Sequence, residues 1–358
     1  MLFKKTKIGN MKVKNSFIKS ATWEKRATES GHMTEYLYNH YVELAKGGVG
    51  TIILSYAHVL SHEKPNPNML GIYDDSSIEE YTKLTELVHN EGTKILTQLV
   101  YGGNMTTYKV EGRDILSPSG IAIREDRPKG RPFNKEDVEE LIKGFTDAAI
   151  RAKKANFDGV QIHCAHGYFF SQVISPVYNQ REDEYGKNKG LLIYKVYEAM
   201  RAAVGEEYPI WIKINAKDFL PNGSEVEDTI KICKKLEKMG IDAIEVSGGH
   251  GIIADKTFAR KKIFKTEDEG IFEKETIEIS RALSIPVVMV GGLRSLDYIN
   301  KIKETSDIRF FSLARPLIAE RNLINQWEAN PSKRSKCISC RRCFGEKNGK
   351  KYTCILEK

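Results

Sequence analysis

Short runs of β-branched and other apolar residues alternate along the chain with stretches whose apolar positions recur every three to four residues. The runs that read as strands are Phe17 to Ser20, Thr51 to Ser55, Lys94 to Leu99, Gly159 to His163, Ile210 to Asn215, Ala243 to Ser247, Val287 to Val290 and Arg309 to Leu313. Between them, Thr34 to Lys46, Ser76 to Glu91, Lys135 to Ala155, Val226 to Met239 and Glu273 to Leu283 read as amphipathic helices, several opened by Ser, Thr or Asn. Strand and helix in alternation predict a parallel sheet, and eight strands predict a (β/α)8 TIM barrel. The competing architecture, an open doubly wound sheet, calls for a Gly-rich dinucleotide turn after the first strand. That turn is absent here, and such sheets are usually much shorter than 358 residues.

Long polar segments follow strands three, four and six, at Tyr101 to Asn134, Gly167 to Gly190 and Gly248 to Ile271. In a barrel they sit over the active site. A chain of 358 residues with 41% hydrophobic positions can bury one such core. No apolar run approaches the roughly 18 residues of a membrane span, and the first residues carry charge without a signal-peptide core. The expectation is a soluble, cytoplasmic protein with no membrane partner.

The net charge of +8 is spread over a surface that also carries 48 acidic residues, which argues against a nucleic-acid partner. Two basic concentrations stand out, one at Arg260, Lys261, Lys262 and Lys265 and one from Lys333 to Lys351. The composition shifts near Pro331. We therefore expect a barrel over residues 1–331 and a short Cys-rich extension over 332–358.

Strand four ends in Asp-Gly-Val-Gln-Ile-His-Cys-Ala-His-Gly-Tyr, which places His163, His166 and Tyr168 just beyond the carboxyl end of a barrel strand. Two imidazoles and a phenol at that position point to a catalytic site. With Ser175-Pro176, Asn179, Arg181 and Asp183 to Gly186 after it, this segment resembles the signature of the old yellow enzyme family. The likeness extends over nearly the whole chain, from Ile8-Gly9-Asn10-Met11 through Gly47 to Gly50 and Gln98 to Phe311-x-x-Ala-Arg315-Pro316.

The resemblance implies an FMN-dependent reductase of carbonyl-conjugated C=C bonds. His163 and His166 would hydrogen-bond the substrate carbonyl, and reduced FMN would pass hydride to the β-carbon. Tyr168 would protonate the α-carbon. Ser20, Ala21, Thr22, Tyr56 and Gln98 correspond to flavin-contacting positions, with Thr22 at flavin O4, and Lys213 corresponds to the cation beside N1. Gly291, Gly292 and Leu293, with Ala314 and Arg315, would hold the phosphate through N–H groups at helix starts and one guanidinium. The substrate would be a small activated alkene. Family members often continue with Gly-Ser-Leu-Glu-Asn-Arg where this chain has Lys187 to Leu192, and Glu24 and Tyr101 to Asn104 also depart from the common pattern. The lid and the substrate are therefore not carried over.

Cys337, Cys340, Cys343 and Cys354 have the spacing of a metal site, suited to zinc or to a 4Fe-4S cluster. Relatives resembling 2,4-dienoyl-CoA reductase carry a cluster on a similar series, which favours the cluster. Electrons would then come from a donor protein, or directly from NAD(P)H. Two rival readings remain at this level: a tRNA dihydrouridine synthase-like barrel, which lacks here the Cys expected after strand three, and an electron relay without alkene reduction. The sequence leaves a homo-oligomer open.

Overall fold

The computed structural model describes residues 2–250, 262–345 and 353–356. Eight parallel strands form its centre: β1 (Phe17–Lys19), β2 (Thr51–His58), β3 (Lys94–Val100), β4 (Gly159–Cys164), β5 (Ile210–Asn215), β6 (Ala243–Ser247), β7 (Val287–Val290) and β8 (Phe310–Leu313). Each pairs with its neighbour in sequence, and β1 pairs with both β8 and β2, which closes the barrel. Around it lie α1 (Glu35–Lys46), α2 (Ser77–His89), α3 (Lys135–Lys154), α4 (Leu191–Val204), α5 (Val226–Lys238), α6 (Glu273–Ala282), α7 (Leu296–Thr305) and α8 (Leu323–Ala329). No helix among the described residues is long and apolar enough to cross a membrane.

All eight strands fall where the apolar runs place them, and the five helices read from periodicity agree to within a residue or two. Helix starts are less uniform than the sequence suggests. Asn134 closes a capping box with Asp137 at the head of α3, whereas Thr34 and Ser76 precede their helices without a side-chain cap. Periodicity leaves out α4, α7 and α8. In α4 the reason is visible, since Leu191 and Tyr194 are partly buried beside the fully buried Leu192, Ile193 and Val196, so the apolar face is too broad to read as a stripe.

Alternation along each strand sorts two cores. On β5, Ile210, Ile212 and Ile214 face the helices, while Trp211 points into the barrel with Ile18, Ile53, Leu96, Ala243, Val288 and Phe310. A small antiparallel hairpin, Thr6–Ile8 with Met11–Val13, adds Ile8, Met11 and Val13 to this layer. The amino-terminal end of the barrel is thus plugged by apolar side chains. The next inward positions toward the carboxyl end are polar: Gln98, Gln161, Lys213 and Glu245, all buried. That change of polarity inside one barrel marks which end carries chemistry.

Candidate active site

The polar end opens into a cleft of about 250 Å³, lined from every barrel strand. Ser20, Ala21 and Thr22 follow β1; Tyr56 and Gln98 come from β2 and β3; His163, His166 and Tyr168 come from β4 and its exit. Lys213 and Ser247 come from β5 and β6, Gly291, Gly292 and Leu293 follow β7, and Ala314 and Arg315 follow β8. The fold therefore gathers in one cavity all the residues singled out for catalysis and for FMN.

Strand register explains the floor. Lys213 lies opposite His163 on β4 and Glu245 on β6, while Gln98 lies opposite Tyr56 and Gln161. Partners in a parallel register point the same way, so these side chains meet inside the barrel. Gln98 Nε2 donates to Gln161 Oε1 at 2.6 Å, and Gln161 Nε2 donates to Glu245 Oε2 at 2.9 Å. Ser20 Oγ donates to Glu245 Oε1 at 2.8 Å and accepts from Lys213 Nζ at 2.7 Å. Lys213 Nζ and the Glu245 carboxylate are 3.3 Å apart. Burial opposes ionisation of Glu245, yet Lys213 and its hydrogen bonds hold the carboxyl below the usual range. The ammonium at the cleft floor is thus buried with a counter-charge beneath it. Thr22 sits in a second buried pair: its hydroxyl accepts from Lys19 Nζ at 2.7 Å and donates to Glu24 Oε1 at 3.2 Å.

At the exit of β4 the backbone turns through two left-handed residues, His166 (φ 63°) and Gly167 (φ 83°). Left-handed geometry at a histidine is uncommon and is held here by the surroundings. His166 N–H donates to Asn215 Oδ1 at 3.1 Å, and its ring Nε2 is 2.7 Å from Ser247 Oγ. A Cβ on Gly167 would come within 2.5 Å of Ile123 Cδ1, so the long loop after β3 packs directly on this turn. The His163 ring is 5.4 Å from that of His166 and 4.9 Å from that of Tyr168. Burial lowers His163 to a pKa of about 3, with Lys213 acting in the same direction, and carries His166 well below its ordinary value. Both rings are neutral near pH 7. His163 Nδ1 is buried and has no hydrogen-bond partner in the protein.

Fit to FMN rests on these features: an unpaired imidazole nitrogen, a buried ammonium and a backbone cradle in one cavity. Gly291 (φ 117°) and Gly292 (φ 83°) form that cradle. A Cβ on Gly291 would lie 2.9 Å from the Phe272 ring and one on Gly292 3.0 Å from Ile263 Cδ1. The expectation that this pair opens a helix is corrected, because α7 begins at Leu296 behind Ser295, whose hydroxyl accepts from Tyr298 N–H. The pair is a left-handed turn, which explains why both positions are glycine. Ala314 and Arg315 do open a short helix, Arg315–Ala319.

The Cys-rich segment packs beside this cradle. Arg294, 2% exposed, donates from Nε to the Cys337 carbonyl at 2.5 Å and from an η nitrogen to Ser339 Oγ at 2.6 Å. Cys337 and Cys343 are buried and Cys340 and Cys354 half-buried, and among the described residues none forms a disulfide. Cys337, Cys340 and Cys343 lie close enough to Arg315 to act electrostatically on its guanidinium. Among the described residues, however, no group of three or more His, Cys, Asp or Glu side chains is placed to hold a metal ion. Arg260 and Lys261 of the first basic cluster, and Lys347, Lys350 and Lys351 of the tail, lie outside the described residues.

Glu245, Gln161, Asn66, Ser247 and Asn215 are site residues that sequence reasoning missed. Glu245 had a signal, a carboxylate amid the apolar residues of strand six. Asn66 had none, since it lies in an ordinary polar loop.

Comparison with known proteins agrees with this geometry. A family model described as NADH:flavin oxidoreductase / NADH oxidase matches residues 1–333. The chain is 32% identical over 355 residues to the NADH oxidase of Thermoanaerobacter brockii, covering 96% of this chain and 53% of that protein. An old yellow enzyme homologue from Zymomonas mobilis superposes with a TM-score of 0.77 at 25% identity, covering 94% of this chain and 95% of that one. A 2-naphthoyl-CoA reductase in complex with 2-naphthoyl-CoA shares the fold with a TM-score of 0.86 at 22% identity, covering 96% of this chain and 54% of that one. This chain spans about half the length of the curated relatives first matched, 53% and 50%.

Proposed function

The chain belongs to the NADH:flavin oxidoreductase / NADH oxidase family, and from that premise we propose that it is an FMN-dependent reductase of C=C bonds conjugated to a carbonyl. One observation carries the reading: His163, a neutral imidazole whose buried Nδ1 has no partner in the protein, lines the same cleft as Tyr168. An oxyanion donor and a protic acid in one cavity are what reduction of such an alkene requires, whereas an electron relay needs neither.

FMN, when bound and reduced, supplies hydride. Gln98, Lys213 and Ser20 would hold its ring, with the Gly291–Gly292 turn and Arg315 at its phosphate. His163 and His166 are neutral, so each imidazole offers one N–H, and a substrate carbonyl accepting from them gains negative charge as the double bond is reduced. Buried donors stabilise that charge more than water does, since they are already oriented. Tyr168, still protonated at neutral pH because burial raises its pKa, gives its proton to the α-carbon. Anaerobic titration of reduced protein with an enone, an enoate and an enoyl thioester tests this. Stoichiometric flavin reoxidation by at least one is expected, and inertness toward all three would overturn the reading.

Glu245 yields a prediction at the flavin. It lies 3.3 Å from Lys213 and partly cancels the charge that favours a reduced, anionic cofactor. Glu245→Gln is expected to raise the midpoint potential of bound FMN by about 30 mV, equivalent to ~1.4 kcal/mol for a two-electron couple. Spectroelectrochemical titration reads it directly, and an unchanged or lowered potential would refute the assignment.

We propose NAD(P)H as electron donor, in line with the family's description. We also propose residues 332–358 as a Cys-rich extension whose four thiols bind a 4Fe-4S cluster or, failing that, zinc, metal binding being coupled to the ordering of such ligand sets. No electron path is derived through it. Elemental analysis of anaerobically purified protein is expected to give iron with equimolar sulfide for a cluster, or zinc without sulfide. Absence of all three elements would make the four cysteines ordinary thiols.

A further inference from the structure

Tyr168 does not stand alone. Its hydroxyl lies 3.2 Å from that of Tyr56, and Asn66 Nδ2 donates to both, at 3.0 Å to Tyr168 Oη and 3.1 Å to Tyr56 Oη. Asn66 is 6% exposed and each tyrosine 8%. Asn66 Oδ1 accepts from Thr107 Oγ1 at 3.1 Å. In this orientation the NH2 edge faces the two phenols. Their rings are 5.5 Å apart and pack with Met69 and Val100, with Trp23 and Met105 against them. Both phenols line the cleft.

Counting donors shows what this cluster can do. A neutral phenol has one O–H and accepts as well. With Asn66 donating to both oxygens and one phenol donating to the other, a single phenolic hydrogen remains to point into the cleft. Reversing the O–H···O–H pair moves that hydrogen between Tyr56 and Tyr168 without moving a heavy atom. Once Tyr168 has given up its proton, its oxygen can accept from the Asn66 amide and from the Tyr56 hydroxyl together. A phenolate with two oriented donors is far less costly in a buried site than one without.

We infer that Tyr56 and Asn66 are positioning residues that stabilise the Tyr168 phenolate, Tyr56 by turning its hydroxyl toward that oxygen and Asn66 by clamping both rings. The proton lost to the substrate carbon comes from Tyr168; Tyr56 keeps its own, and Tyr168 regains one from water when the product leaves. The electrostatics of the two phenols fit this division. Burial raises both, the hydrogen bonds from Tyr56 and Asn66 moderate the rise at Tyr168, and Tyr56 is pushed well above its ordinary value. Glu63 and Arg127 act on Tyr168 in opposite directions, and Glu24 acts on Tyr56. These charged groups must stay unaltered in any test.

The inference rests on the proposed role of Tyr168, and its test reads ionisation apart from turnover. Difluorotyrosine placed at position 168 of the holoenzyme ionises in an accessible pH range and is followed by fluorine NMR. Tyr56→Phe and Asn66→Leu are each expected to raise its ionisation by about one pH unit, the size of one charge-assisted hydrogen bond. With natural Tyr168, the same variants are expected to slow alkene-driven flavin reoxidation about tenfold and to enlarge its solvent isotope effect. Substrate affinity is expected to stay constant. An unmoved ionisation in both variants overturns the inference even if the protein reduces alkenes. A shifted ionisation in a protein inert to alkenes upholds the phenol pair and removes the ene-reductase reading instead.

Discussion

Reduced protein carrying Tyr168→Phe is expected to reoxidise with an activated alkene ~100- to 10,000-fold more slowly than the parent, the range spanned by loss of a positioned general acid. The substitution removes one oxygen and leaves the ring. Its packing against Tyr56, at 5.5 Å, and His163, at 4.9 Å, is kept, so a slow variant reports chemistry and not collapse. Electron entry from the proposed donor, NAD(P)H, would involve no proton from this phenol, and flavin reduction should proceed at the parental rate. Stopped-flow measurement of the two half-reactions separates these effects. Equal slowing of both would indicate a distorted flavin site, and parental rates in both would remove Tyr168 from the mechanism.

Loss of the imidazole donor is the second large effect. His163→Leu is expected to lower the alkene half-reaction by ~100- to 1,000-fold, as removal of an oxyanion donor does elsewhere, while His163→Asn, which restores an N–H, should recover part of it. The pH profile adds an independent check. Burial holds His163 at a pKa of about 3, so the ring stays neutral as pH falls through 6.5 and no limb from it should appear there. The same shift has a sign for stability. An unfolded imidazole takes up its proton near pH 6.5 and the folded one only near 3, so the folded state binds fewer protons between them. The contribution of His163 to stability is complete above pH 6.5 and is lost progressively as pH falls toward 3. Thermal unfolding of parent and His163→Asn at pH 7 and pH 5 should show the smaller acid-induced drop in the variant.

The barrel and the residues gathered at its open end were legible in the chain for a local reason. Strand runs such as Ile210 to Asn215 and the amphipathic stripe of α5 are set by neighbours a few residues away, and the His163, His166 and Tyr168 group lies within one short segment. Even the polarity change inside the barrel is written in single positions, since Lys213 and Glu245 interrupt otherwise apolar strands. What the sequence could not supply were partnerships between residues far apart along it. Asn66 meets Tyr168 across 102 positions and Ser20 meets Glu245 across 225. Such pairs depend on strand register and on where loops land, and a one-residue slip would turn every inward side chain outward. The Gly291–Gly292 turn was misplaced for the same reason, because only the packed Phe272 and Ile263 side chains reveal why both positions lack a Cβ. The chain by itself therefore determined the fold and the kinds of chemical group at its open end. The tertiary structure alone decided which of them share hydrogen bonds, because that depends on distances that only closure of the barrel sets.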